Sequence, residues 1–400
     1  MKRLLLVILI SLTFFTGCGS YSPFSRMEQR IMVQLVGIDF EDGLYTVSIQ
    51  FSMGKSSNAM EVENDLKTIT GKGVNLYSAV REAQKSVGKE LFFSHTQVVF
   101  LGKSVLNNNP IEVLEDYLTY CDHHSTAYVA GAYEKAEDIL SLTYKDEYSD
   151  KNKLFLVLKN AKETGIYPAY IIYESQINAY NKSNSFFVPM IRVEEAKGGD
   201  SGEEETKDNS ENEDNGETGD DSNKNSTGIG GDTEHPKVIP EGGVLINDGK
   251  IKAFMSESRC AGLAMIANTC KTLSIDFESG SEIRSIRTFK KKVKIKPIFD
   301  GENLTFDIRF SATVQGDSNS KISRAVIDNY TDDFVLPAQN AIKAKMRDTV
   351  DFAVGLGCDV FNLEDALKHY DYPAWLKTED DWKQILKNAK FTYNVVLTVI

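Results

Sequence analysis

The chain has 400 residues, 41% of them apolar, and a formal net charge of −13. That length exceeds what one hydrophobic core serves, so two or three domains are expected. Between Glu194 and His235, 15 Asp and Glu against 3 Lys carry −12 of the charge, so the folded parts are near neutral and lack the concentrated basic surface of a nucleic-acid binder.

Lys2 and Arg3 open the chain, Leu4 to Phe15 is almost wholly apolar, and Thr16-Gly17-Cys18 follows. A positive start, a short apolar run and small residues before a cut describe an export signal. The run is too short to cross a hydrocarbon core, which takes about 20 residues. Small residues ahead of a cysteine are similar to the bacterial lipobox, in which the chain is cut before a thiol that carries lipid. Residues 1–17 are therefore expected to be removed and Cys18 to be the lipid attachment site, holding the chain outside the cytoplasm. No later stretch approaches 18 consecutive apolar residues, so no membrane-spanning helix is expected after it.

Along the first region, Val36, Ile38 and Phe40 alternate, Asp42-Gly43 supplies a turn, and Tyr45, Val47, Ile49 and Phe51 alternate again, which predicts a hairpin. Leu76, Val80, Ala83 and Val87 recur at helical spacing, and Gln97–Leu101 reads as a buried strand. A helix follows Pro110, carrying Ile111, Leu114, Tyr117 and Leu118. Tyr128–Gly131 is a short strand, Ala136–Leu142 starts a helix, and Lys153–Thr164 and Ala169–Tyr180 are helical or extended. The order is that of a mixed α/β region over residues 18–193.

Glu194–Glu234 holds almost only Glu, Asp, Asn, Ser, Thr, Gly and Lys, too little apolar surface to offset ordering entropy. Residues 194–238 are thus expected to be a disordered acidic insertion. Beyond it, Gly243–Ile246 and Lys250–Phe254 flank Asn247-Asp248-Gly249 as a second hairpin, and Glu257–Thr269 is helical. Thr288–Phe299 is basic and extended. Asp300-Gly301 then turns into Leu304, Phe306, Ile308, Phe310 and Ala312, with polar residues between them. Helical patterning runs from about Lys321 to Ala353, with Pro337 as a kink or a restart. Leu363–His369 is a shorter helix, and Phe391, Tyr393, Val395, Leu397 and Val399 alternate to the end. Residues 239–400 are expected to be an α+β domain with antiparallel pairing.

Chemistry is sparse in this sequence. It contains no G-x-S-x-G, no H-E-x-x-H and no phosphate-cradling glycine loop. No catalytic, cofactor-binding or metal-binding residue is assigned, and no cofactor. Cys121-Asp122-His123-His124 lacks metal-ligand spacing. Cys260 and Cys270 either pair or stay as buried thiols, and the apolar segment Ala261–Ala267 between them favours the thiols. His95 reads as a structural histidine before its strand. Trp375 and Trp382, seven apart, share a face if helical. Within Arg284–Lys296, Lys292, Lys294 and Lys296 lie opposite Val293 and Ile295. That strand is either a solvated face or a contact for anionic lipid or an acidic partner.

Several stretches together resemble one family. They are Val36-Gly37-Ile38-Asp39 with its hairpin; Leu91 to Gly102, where His95 and Gly102 bracket the run; Ala136-Glu137-Asp138-Ile139-Leu140; Gly242 to Ile246 with Gly249-Lys250-Ile251; and Asp351 to Cys358 followed by Tyr372-Pro373-Ala374-Trp375 and Trp382. In this order and behind a lipobox they are similar to the Ger(x)C family, the lipoprotein C subunits of bacterial spore germinant receptors (GerAC/GerBC type). The chain departs from that pattern in having Gly19-Ser20 after the cysteine, where members commonly have Trp-Asp. The resemblance implies three α/β-type domains and a non-enzymatic subunit, with palmitate or another acyl chain on Cys18. It places that subunit on the outer face of the cell or inner spore membrane, beside two multi-pass A and B subunits that respond to a nutrient. It names no nutrient and leaves open whether this subunit touches one. The alternatives are a solute-binding lipoprotein of an importer, which needs two parallel-sheet lobes around a cleft, and a lipid-anchored enzyme.

Overall fold

A computed structural model describes residues 30–57, 61–120, 125–142, 153–194, 237–316 and 334–399. The export signal, Cys18, Cys121–His124 and the acidic insertion up to residue 236 lie outside the described residues, as does the part of the expected Lys321–Ala353 helix up to residue 333.

The first alternating pair folds as read. Strands β1 (Arg30–Glu41) and β2 (Leu44–Ser57) pair antiparallel, with Val36 opposite Ile49 and Ile38 opposite Val47. Asp42 and Gly43 both take positive φ, 52° and 76°, the twist a two-residue hairpin turn needs. Strand β3 (Glu61–Gly73) extends the hairpin without any apolar alternation to announce it. Its Gly71 replaces side-chain packing with close approach: a Cβ there would stand 2.2 Å from the Ala79 carbonyl oxygen on helix α1 (Leu76–Gln84). Asn75 caps that helix, accepting the Ser78 N–H at 2.8 Å while Ser78 Oγ returns a bond to the cap.

Next come β4 (Glu90–Phe92), β5 (Val98–Leu101), β6 (Tyr128–Ala132) and β7 (Ser185–Glu194), then the hairpin of β8 (Lys237–Asn247) and β9 (Lys250–Met255). The described residues form a nine-stranded sheet in the order β3-β2-β1-β5-β6-β7-β8-β9, with β4 beside the start of β1. Its centre, β1-β5-β6-β7, is parallel, and antiparallel hairpins close both sides. Strand β5 is buried on both faces, which explains its unbroken apolar run.

Alternate residues sort into two cores. Val36, Val99, Val129, Val188 and Val244 belong to one. Leu35, Val98, Ala130, Phe187 and Leu245 belong to the other. Helices α1, α2 (Lys103–Leu106), α3 (Pro110–Tyr120) and the later α6 (Ile172–Ala179) contribute to the first core. Helices α4 (Ala136–Ser141), α5 (Lys153–Thr164) and α7 (Glu257–Ile266) contribute to the second. A period of two is what a sheet covered on both sides demands.

The second core continues without a break into a smaller sheet. Helix α7 crosses α8 (Leu336–Gly355) at Gly262, where a Cβ would lie 2.0 Å from Thr349 Oγ1. Beside the crossing, Arg259 holds Asp348 through two bonds of 3.0 and 3.2 Å. Pro337 stands in the first turn of α8, so it starts the helix and does not kink it. Ala338, Ile342, Met346 and Val350 then bury one stripe against β10 (Ser274–Ser279), β11 (Glu282–Phe299), β12 (Leu304–Gly316) and β13 (Lys390–Val399). The antiparallel pairing expected of this half holds from β10 to β12. The closing strand β13 pairs parallel with β12, because α8, α9 (Leu363–Tyr370), α10 (Tyr372–Thr378) and α11 (Trp382–Asn388) return the chain across the sheet first. Trp375 and Trp382 fall on different short helices, not on one face. Trp382 is 1% exposed, while Trp375 stacks on Tyr372 with Lys368 over its ring.

A buried polar knot joins the two sheets. The Asp359 carboxylate accepts backbone N–H groups from Leu363 at 2.9 Å and Glu364 at 2.8 Å, at the start of α9. The Asp359 N–H donates to Ser183 Oγ, and its carbonyl accepts from Asn181, both just ahead of β7. The Lys182 N–H reaches Glu364. The architecture is a mixed α/β layer arrangement around the large sheet and an α+β one around the small.

Candidate interaction surfaces

The basic strand that stood out in the sequence is β11, and its register decides what it presents. Ile286 and Thr288 point inward at its start, and Val293, Ile295 and Pro297 lie toward the core further along. A bulge resets the parity: Phe289 faces Thr313 and Lys292 faces Ser311, so Lys290 and Lys291 stand against one residue of β12. Lys290 takes φ 44°, uncommon for a side-chain-bearing residue. Without that extra residue Lys292, Lys294 and Lys296 would share parity with the buried Thr288 and point into the core. With it, all three are exposed in a row.

The other lysine of the bulge behaves differently. Lys291 turns inward and donates to Asn268 Oδ1 at 2.6 Å. Burial holds its ammonium below the usual lysine range, opposed by the neighbouring Cys270.

Beside Lys294 on β12 stands Arg309, and beside Lys296 stands Asp307. Burial pulls the Asp307 carboxyl upward, but bonds from Arg309 (2.6 Å), Thr392 (3.0 Å) and Asn394 (2.7 Å) outweigh it and hold the group below the usual carboxylate range. Asp307 is thus consumed by its own neighbours. Among the described residues no ion pair joins Lys292, Lys294 or Lys296. The same open face carries Arg287 and Lys390, with Ile298 and Val396 as exposed apolar side chains. Among the described residues, the helices of this half pack on the inner side of the sheet, with α8 along it. Neither the Asp307 cluster nor Val396 was visible in the sequence, because cross-strand register through β12 places them on the face that β11 shares.

A second surface lies on the large sheet's helices and is tyrosine-rich. Tyr77 of α1 and Tyr120 of α3 meet with ring centres 5.7 Å apart, and Tyr173, Ile177 and Tyr180 form an exposed stripe along α6 and its end. Tyr180 donates to Glu115, and that bond, with some burial, pushes its phenol up to about 12. This face is aromatic and acidic, the reverse of the β11 face.

Three of the stretches that suggested a family, those holding Asp39, Gly102 and Ala136, converge on one structural point. Asp39 of β1 is 3% exposed, and its two carboxylate oxygens accept the Ala136 and Glu137 N–H groups at 2.9 and 3.0 Å, capping α4. Gly102 must lack a side chain, because a Cβ would sit 1.8 Å from Asp39 Oδ1, and one on Gly37 would press on Ala136 at 3.1 Å. Burial raises the Asp39 carboxyl, with the two N–H bonds opposing. These residues are a helix clamp and not a ligand set. Asp39→Ala is expected to lower the unfolding free energy by about 2–3 kcal/mol, since two amide groups lose their acceptor. Chemical denaturation of the two proteins side by side measures it.

The remaining candidates are placed singly. His95 is exposed, its ring 5.9 Å from that of Phe92, and His369 is exposed beside Tyr370. Cys260, Cys270 and Cys358 are buried free thiols. Burial pushes Cys260 up to about 12 and Cys358 up to about 11, so both stay protonated. Among the described residues no group of three or more His, Cys, Asp or Glu is arranged to hold a metal ion, and no helix is long and apolar enough to cross a membrane. Cys18, His123, His124 and His235 lie outside the described residues.

Comparison with known proteins covers both halves. Residues 24–193 match the family described as the spore germination protein N-terminal domain, and residues 241–400 match the one described as spore germination B3/GerAC like, C-terminal. The crystal structure of the GerBC protein superposes with a TM-score of 0.54 at 15% identity, covering 91% of this chain and 96% of that one, which is a likeness of fold. No curated protein sequence gives a significant match.

Proposed function

The chain belongs to the GerAC-like family of spore germination proteins, and from that premise we propose that it is the lipid-anchored C subunit of a spore germinant receptor. It acts in assembly and signalling, without catalysis, on the outer face of the cell or inner spore membrane. One observation carries the reading: a stretch with the pattern of an export signal, ending in Thr16-Gly17-Cys18, precedes two regions, 24–193 and 241–400, that both match germination proteins. The family match supports the receptor, and the leader supports the tether. Its partners are two multi-pass membrane proteins, the A and B subunits.

Affinity purification of the tagged full chain from detergent-solubilised spore membrane tests this. Two co-purifying multi-pass proteins, both lost when the chain is deleted, are the expected result. Recovery with an importer's permease and ATPase would instead make it a solute-binding lipoprotein. Recovery alone, together with a normal nutrient response in the deletion strain, would overturn the assignment.

A further inference from the structure

We infer that the open face of the small sheet, centred on Lys292, Lys294 and Lys296, docks flat on the anionic head groups of the bilayer that holds the chain. The inference rests on the tethered reading above, since a body on a lipid anchor is never far from that surface. Eleven residues lie between Cys18 and Arg30, and the twelve steps from one to the other reach at most about 40 Å fully extended. At such a range even a weak contact is populated, because the tether supplies the effective concentration.

The face itself argues for a bilayer. Outside the acidic segment the chain is near neutral, so this row of cations is a local concentration and not a reflection of bulk charge. The carboxylate lying among them, Asp307, is taken up by Arg309, Thr392 and Asn394. The lysines are left without a described counter-charge and attract phosphodiester groups. A protein-binding core is typically depleted in lysine and enriched in aromatic residues. That description suits the Tyr77–Tyr120–Tyr180 surface and not this one. Lysine instead lays its aliphatic stem on apolar neighbours and lifts its ammonium to head-group level. Ile298 and Val396, exposed at 51% and 60%, give the same face its apolar complement. The β11 bulge belongs to the device, because it is what turns three consecutive alternate lysines outward.

The test uses the chain from residue 19 onward, which keeps every described residue and lacks only the lipid-bearing thiol. Co-sedimentation is measured with vesicles of phosphatidylglycerol and phosphatidylcholine, and with phosphatidylcholine alone. Binding to the anionic vesicles is expected to be at least tenfold tighter and to weaken with added salt. The variant K292Q/K294Q/K296Q is expected to lose tenfold or more, while K67Q/K72Q/K89Q, which removes equal charge from exposed sites on the large sheet's side, changes it less than twofold. Matched thermal unfolding shows that each variant is folded. Equal binding to both vesicles, or equal loss in both triple variants, would overturn the inference. So would a face variant that keeps vesicle binding but no longer recovers multi-pass proteins when lipidated, since the face would then meet protein. Because lipid-free chain is used, failure here leaves attachment at Cys18 untouched, and absence of lipid on Cys18 leaves the vesicle result untouched.

Discussion

Exported without its thiol, the chain is expected to leave the membrane. The mature protein is predicted to carry at least two acyl chains at Cys18, and each buried methylene contributes about 0.8 kcal/mol. One chain alone holds a protein only marginally, with an association constant near 10⁴ M⁻¹, whereas two make release negligible. The simple Cys18→Ala variant keeps its apolar leader if cleavage requires the cysteine, so it is read by mass spectrometry, as loss of the acyl mass. Replacing residues 1–18 by a cleavable signal of the non-lipid kind removes thiol and leader together. That form is expected in the soluble extracytoplasmic fraction, with detergent-phase partition lower by roughly a hundredfold or more. Its receptor response should fall with it, although residues 30–399 fold as before. An unmodified mature N-terminus in the native protein, or undiminished membrane retention of the replaced form, would refute the anchor.

Asp359→Ala is expected to cost about 3–5 kcal/mol, the largest single loss in the folded body. The carboxylate is wholly buried, accepts amides at the start of α9, and belongs to the knot that ties α9 to the chain entering β7. Removing it strands those amides and opens a void where the two sheets are joined. The same group gives the fold a pH dependence. Burial, with Glu364 nearby, pushes its pKa from 3.8 up to about 6 against the pull of three backbone N–H groups. A carboxyl raised in the folded state holds a proton that the unfolded chain has already released. Stability therefore falls as pH climbs from about 4 to about 6, by about 3 kcal/mol, and is level with respect to this group above that. Urea denaturation across this range should show the slope in the native chain and its loss in Asp359→Asn. An identical slope in both would assign it elsewhere, to Asp39 first, whose carboxyl is also raised.

Much of this architecture could be read before folding, wherever one physical rule acted alone. β12 buries one apolar parity and β5 is apolar and buried throughout, so pattern and burial agree there, and β1 and β2 show their alternation although both of their faces are buried. The lysine face of β11 was legible for the same reason. Other elements escaped because tertiary contacts replaced the pattern. β3 packs through backbone at Gly71, leaving no apolar stripe to find. β7 is buried at seven consecutive positions and so shows no alternation, and its Pro189, which cannot donate to a ladder, sits at a register irregularity between Pro189 and Ile191. β10 has only Ile275 and Phe277 inward, too short a signal to separate from a loop. The helix clamp at Asp39 was quoted as a motif, but its meaning lay in Gly102 and Ala136 arriving at the same point.

One pairing of the large sheet bears on how this chain tolerates change. Glu194 closes β7 opposite Lys237, which opens β8, so the two partners of a single rung bracket the 42 residues from 195 to 236. Sequence inserted between the two partners of one rung need alter no distance in the rest of the body. Its closing entropy grows only with the logarithm of length, about 0.6 kcal/mol per doubling. This hairpin mouth is therefore a place where evolution can write, lengthen or erase sequence almost independently of the scaffold, and where a reporter domain can be spliced in with the ladder left whole.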